Sequence, residues 1–211
     1  MLMLALVVAG VALLLMRRDR LGAGSMVVAA GVKLTAGLFL PFALAGAGGR
    51  LSRSRRRDVL VGAGVSAAAL AALGFAVFGS GPLHLLASIS QSQSEGDWHS
   101  IPGFISTRLG LSTIGRLTGI TLAIVFAGIF CWLVRRVWRG ELDWIDGCAW
   151  TVVALLVTAS SLLPWYVAWL LPFAALGTDR RLWPTAIAMT GVIQLVQVLG
   201  YLPHGGSFVG L

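Results

Sequence analysis

The chain is short of charge, and above all of lysine. Only 11% of its 211 residues are charged and a single one, Lys33, is lysine. A soluble domain carries roughly 25% charged residues, so with 57% apolar residues and a mean hydropathy of +0.88 a soluble fold is excluded. Cysteine is equally scarce. Cys131 and Cys148 both fall in or beside apolar helices, without metal-ligand spacing or a disulfide framework, and read as helix-packing residues. No Gly-rich loop is followed by Lys and Ser or Thr, no His-Glu-x-x-His segment occurs, and no nucleophile elbow is present, so no motif names a reaction by itself. The basic start of a secretory signal is also missing: Met1-Leu2-Met3-Leu4 opens directly into apolar sequence, as expected of a helix that stays in a membrane.

What the chain does have is apolar blocks, at about 2–16, 22–46, 59–79, 117–134, 147–163, 165–176 and 183–203. About 20 apolar residues cross roughly 30 Å of hydrocarbon as a helix, and lipid-facing amides must be hydrogen-bonded within their own segment. Strands would show alternation, which is not seen, so the expected fold is all-α, a polytopic transmembrane helical bundle. Fifteen of the sixteen basic residues are arginine and give most of the net charge of +8. They form no lysine-rich face interleaved with aromatics, so nucleic acid is not an expected partner, and membrane orientation accounts for them better.

The arginines fall in four clusters: 17, 18 and 20; 50, 53, 55, 56 and 57; 135, 136 and 139; 180 and 181. Basic loops next to membrane segments stay cytoplasmic. Were every block a full crossing, the better orientation would leave 5 of the 15 arginines outside. If block 22–46 enters and returns on the same side, 13 lie inside and only Arg108 and Arg116 outside. The middle of that block, Gly31-Val32-Lys33-Leu34-Thr35-Ala36-Gly37, places a lysine and two glycines where a span needs its most apolar turn. Two half-helices meeting near Lys33 resolve both points, with a single tilted helix as the alternative. The expectation is therefore about six spans plus a re-entrant helical hairpin, in one membrane domain over 1–211, with basic loops cytoplasmic, an external loop at 80–116, and a multi-pass location in the plasma membrane.

Chemistry is expected on that outer face. Loops longer than about 12–15 residues are usually functional or disordered, and the segment Gln91 to Pro102 concentrates polar groups as nothing else outside the membrane does. His99 could hold a phosphate or shuttle a proton, Trp98 could stack on a sugar, and Glu95 and Asp97 are weak acid/base candidates. Lys33, an ionisable residue inside an apolar block, is a functional candidate by default, set against a lysine that snorkels to the interface. Trp165, Tyr166 and Trp169, between Pro164 and Pro172, form an aromatic cluster that fits either an interfacial belt or a groove for an acceptor or lipid chain. The sequence shows no convincing inverted repeat of the transporter kind.

Three segments, in order, resemble glycosyltransferase family 87 and related actinobacterial mannosyltransferases: Gly31 to Phe42 followed by the arginine run, the loop leading into Trp98-His99-Ser100-Ile101-Pro102, and Leu163-Pro164-Trp165-Tyr166-Val167-Ala168-Trp169-Leu170-Leu171-Pro172. The resemblance implies a GT-C type membrane enzyme that takes a sugar, often mannose, from a polyprenyl-phosphate carrier and passes it to a glycan or glycolipid on the outer face. Its donor is a polyprenyl-phosphate-linked sugar, its partners are membrane lipids and that acceptor, and no metal or other cofactor is implied. On that reading Lys33 and His99 hold the donor phosphate, and Trp98, Trp165 and Tyr166 line the sugar and lipid groove. The family's catalytic aspartate lies in the first external loop. Nothing here matches it, since Asp19 and Asp58 are the only acids among the first 80 residues and both adjoin arginine clusters. The catalytic group is thus unassigned, with Glu95, Asp97 and His99 the candidates, and the expectation is a C-terminal, fragment-like portion of a longer GT-C membrane domain. A small transporter or channel and a non-catalytic membrane subunit are the alternatives.

Overall fold

A computed structural model describes residues 1–48, 53–79, 116–159 and 164–201, and every regular element among them is helical. Glu95, Asp97, Trp98 and His99 lie outside the described residues, as does the loop read at 80–116 up to its last residue, Arg116.

Helix α1 (Leu2–Leu15) runs toward the first arginine cluster, where Arg17 takes a left-handed backbone with φ 63° and turns the chain into α2 (Asp19–Val32). The two helices pack antiparallel and close. A Cβ on Gly10 would stand 3.0 Å from the Gly22 carbonyl, and the Ser25 hydroxyl donates to the Leu6 carbonyl at 2.7 Å. At Lys33 the helix stops: φ −150° and ψ 117° are extended values. Six residues of 3₁₀ helix (Leu34–Phe39) follow, and then α3 (Leu40–Gly48), whose Pro41 sits in the first turn where a missing N–H costs nothing. Gly46 of α3 lies beside Leu14, Arg17 and Arg55. Both ends of the block 22–46 therefore reach the same, arginine-bearing end of the bundle, and the chain reverses at Lys33 rather than continuing as one helix.

Helix α4 (Arg53–Phe78) rises parallel to α2, with Gly62 against the Arg20 backbone, Ser66 against Gly24 and Leu70 against Gly31. Helix α5 (Arg116–Trp138) descends, burying Leu133 and Val137, to the third arginine cluster. Segments within these two helices, Ser54–Phe78 and Gly119–Trp138, are long and apolar enough to cross a membrane, and the other apolar stretches among the described residues, Leu182–Val196 included, are shorter. Helix α6 (Trp144–Thr158) starts at an Asp143 carboxylate that accepts the Ile145 amide at 2.8 Å. A second six-residue 3₁₀ segment (Pro164–Trp169), the short α7 (Leu170–Leu176), the fourth arginine cluster and the long α8 (Leu182–Tyr201) complete the order.

That order repeats. A helix descending to an arginine turn, a helix of 14 or 15 residues, a 3₁₀ segment of six, a short helix, another arginine turn and a long helix occur once over 2–78 and again over 116–201. The returning strokes spell nearly the same string, Leu40-Pro41-Phe42-Ala43-Leu44-Ala45-Gly46 and Leu171-Pro172-Phe173-Ala174-Ala175-Leu176-Gly177. Phe42 and Phe173 are both fully buried, and Phe173 meets Phe39 with ring centroids 4.8 Å apart, which locks one hairpin to the other. Unlike the inverted repeats sought in the sequence, these two units run in the same direction, each hairpin rising from the arginine end.

A buried carboxylate closes each hairpin at its base. Asp19 takes the Arg55 guanidinium through two contacts, Nε at 2.7 Å and Nη2 at 2.6 Å, while Nη2 also donates at 3.3 Å to the Leu14 carbonyl, which accepts the Arg17 amide as well. Asp146 accepts the Thr178 amide at 2.8 Å, the Thr178 hydroxyl at 2.7 Å and the Asp179 amide at 3.3 Å. By contrast the Arg20–Asp58 pair, at 2.8 Å, is exposed and contributes about 0–1 kcal/mol. Breaking a buried pair strands a charge, at a cost of about 3–5 kcal/mol, whereas replacing both partners by apolar groups is far cheaper. Asp19→Leu alone is thus expected to lower the unfolding midpoint of the purified chain in detergent strongly. The double variant with Arg55→Leu should recover most of that loss.

Candidate functional site at the hairpin tips

The two hairpins meet at their tips through Lys33. Its ammonium donates to the Tyr166 hydroxyl at 2.7 Å, from a position 133 residues away in the chain. The same nitrogen stands 3.9 Å from the centroid of the Tyr166 ring and 4.5 Å from that of Trp169. Those rings stack on one another, with centroids 4.5 Å apart and planes 25° from parallel. The local reason is the 3₁₀ helix: three residues per turn eclipse positions i and i+3, so Tyr166 and Trp169 share a face and present one aromatic wall. Extended backbone at Lys33 swings its side chain out of α2 toward that wall.

Two aromatic faces supply about 0.5–2 kcal/mol each to an ammonium, less than the several kcal/mol needed to take it from water. No carboxylate pairs with Lys33 among the described residues. Among the described residues the tip therefore holds a positive charge without a counter-charge on an apolar wall, a setting that attracts an anion. An open cavity of about 270 Å³ adjoins it, lined by the first turn of α1, Val32, Lys33, Trp165, Tyr166, Ala168 and Trp169. Fourteen residues of α2 at 1.5 Å each place the tip about 21 Å from the arginine end. Nearby on the first 3₁₀ segment the Thr35 hydroxyl is buried with no hydrogen-bond partner among the described residues.

Of the residues singled out in the sequence, Lys33, Trp165 and Tyr166 come together here, while Trp98 and His99 fall outside the described residues, together with Glu95 and Asp97. Trp165 stands at the cavity edge, exposed and edge-on to Tyr166 at 6.5 Å. Trp169, which the sequence placed only in an aromatic cluster, supplies the second ring against the ammonium. An i, i+3 aromatic pair following Pro164 was the available signal, but it becomes informative only when the segment is 3₁₀.

Comparison with known proteins gives two matches. The model of Glycosyltransferase family 87 matches residues 1–163. Alpha-(1->6)-mannopyranosyltransferase A of Mycobacterium tuberculosis is 33% identical over an alignment that takes in 97% of this chain and 42% of that protein, so the chain spans less than half the length of this relative. No solved structure gives a match.

Because an ammonium held by rings is costly to bury, replacing Lys33 should leave the fold standing. Lys33→Met is expected to change the unfolding midpoint little or raise it, whereas Trp169→Ala, which removes a nearly buried ring, should cost about 3–5 kcal/mol. Chemical unfolding in detergent followed by helicity distinguishes the two.

Proposed function

Because the chain belongs to glycosyltransferase family 87, we propose that it serves transfer of a sugar, mannose, from a polyprenyl-phosphate carrier to a glycan or glycolipid on the membrane face away from the arginine clusters. The observation that carries this reading is the Lys33 ammonium, held without a carboxylate partner among the described residues, on an aromatic wall beside a cavity. In such a transfer the acceptor oxygen bonds to the sugar's anomeric carbon, the bond from that carbon to the phosphate oxygen breaks, and polyprenyl phosphate leaves. The donor is a phosphodiester with one negative charge, and the departing monoester gains a second. A fixed cation at the phosphate is therefore worth more in the transition state than in the ground state, and stabilisation of that kind accelerates the reaction.

In this proposal Lys33 holds the phosphate, with His99 as a second contact, and Trp165, Tyr166 and Trp98 line the sugar and lipid groove. The acceptor hydroxyl needs a base, for which Glu95, Asp97 and His99 are the candidates within this chain. We place the arginine end in the cytoplasm by the positive-inside rule, the loop 80–116 outside, and the chain as one membrane domain with about six spans and a re-entrant hairpin at 22–46. Supporting this, α4 ends and α5 begins at the end of the bundle opposite the arginines, the end toward which the hairpin tips point. Parallel repeats also occur in transporters. Here, however, the hairpins are packed onto each other by Phe39 and Phe173, and the family favours transfer.

Binding of polyprenyl phosphate to the purified chain, read by tryptophan fluorescence in detergent, tests the assignment. Loss of a charge-assisted hydrogen bond in Lys33→Met should weaken binding roughly tenfold or more. An unchanged affinity would remove Lys33 from the role.

A further inference from the structure

A second cavity lies toward the opposite end of the bundle, away from the tip site. It is an open groove of about 400 Å³ between α5 and the start of α3, with Pro41, Phe130, Val134 and Trp138 among the lining residues and Arg135 and Arg139 at its basic end. The floor is apolar and continuous with the outward face of a helix long enough to cross a membrane. Among the described residues the rim carries an excess of positive charge. Three guanidinium groups at the end of α5 have one carboxylate near them, Glu141, at 3.4 Å from Arg136 and 3.8 Å from Arg139, while Arg135 is exposed and has no ion pair among the described residues. Across the rim Arg56 of α4 lies over the Trp138 ring at 4.5 Å.

An apolar trough that ends in unbalanced guanidinium groups is complementary to an amphiphile with an anionic head. We propose that this groove seats one anionic phospholipid from the leaflet at the arginine end. Its acyl chain lies over Phe130 and Val134, and its phosphate lies between Arg135 and Arg139, where planar donors match phosphate oxygens. The site shares no residue with the Lys33 cage and does not depend on the reading of sugar transfer.

The groove carries its own reporter. Cys131 lines it and is exposed, whereas Cys148 is fully buried, so maleimide alkylation distinguishes the groove from the interior. The 211-residue chain in maltoside micelles is alkylated with phosphatidylglycerol, phosphatidylcholine or glycerol 3-phosphate present. Phosphatidylglycerol should slow modification of Cys131, phosphatidylcholine should do so much less, and the water-soluble glycerol 3-phosphate should not do so at all. Each guanidinium removed should weaken the phosphatidylglycerol effect about fivefold, in R135Q alone and further in R135Q/R139Q. An unreactive Cys148 shows that each variant is folded. Equal protection by both lipids, or phosphatidylglycerol protection undiminished in R135Q, would overturn the proposal. Protection by glycerol 3-phosphate alone would overturn it in favour of a simple phosphate site.

Discussion

An ammonium inside apolar sequence has to find something other than water, and how Lys33 solves this organises much of the molecule. A straight helix through 22–46 would leave its charge against lipid. Breaking the helix at Lys33 lets the side chain reach the hydroxyl of Tyr166 and the faces of Tyr166 and Trp169, on a hairpin more than a hundred residues away. The contact joins the two repeated units at their tips, as Phe39 against Phe173 joins them lower down. The charge is held in place, and no carboxylate among the described residues cancels it. The same feature that ties the hairpins together therefore leaves a site for an anion.

Each hairpin also has to be held shut at its base, and the same problem is met there in two ways. Asp19 is neutralised by Arg55, which at the same time gives a carbonyl at the end of α1 a second donor. Asp146 has no cation partner among the described residues and accepts instead from two backbone amides and a hydroxyl of Thr178 and Asp179. A carboxylate with several well-directed donors tolerates burial much as a paired one does. A carboxylate in the first turn of each corresponding helix, with a different partner in each, fits two units of common plan whose details have diverged.

Much of this was legible because the membrane imposes strict rules on composition. Low charge, apolar blocks and arginine clusters implied a helical membrane chain, and counting arginines argued for a reversal at 22–46 where the structure has one. Lys33 and Tyr166 could be singled out separately, as an unusual charge and as part of an aromatic turn. Their contact could not, because it depends on how two distant hairpins pack. The buried acids were read only as neighbours of basic loops. Nothing in a carboxylate's position along the chain shows that its partner will be Arg55, 36 residues on, or the amide of Thr178, 32 residues on.

The Leu-Pro-Phe-Ala strings stood in plain view, yet short apolar matches carry little weight until both are seen to follow a 3₁₀ segment and to bury the same phenylalanine. By itself the sequence determined the solvent, the all-helical class and the end of the bundle at which positive charge collects, since these follow from local composition and from the cost of charge in lipid. Only the tertiary structure decided which charges find partners, which aromatic ring meets the lysine, and that two hairpins form one site, because those depend on side-chain distances between segments that the chain does not place side by side.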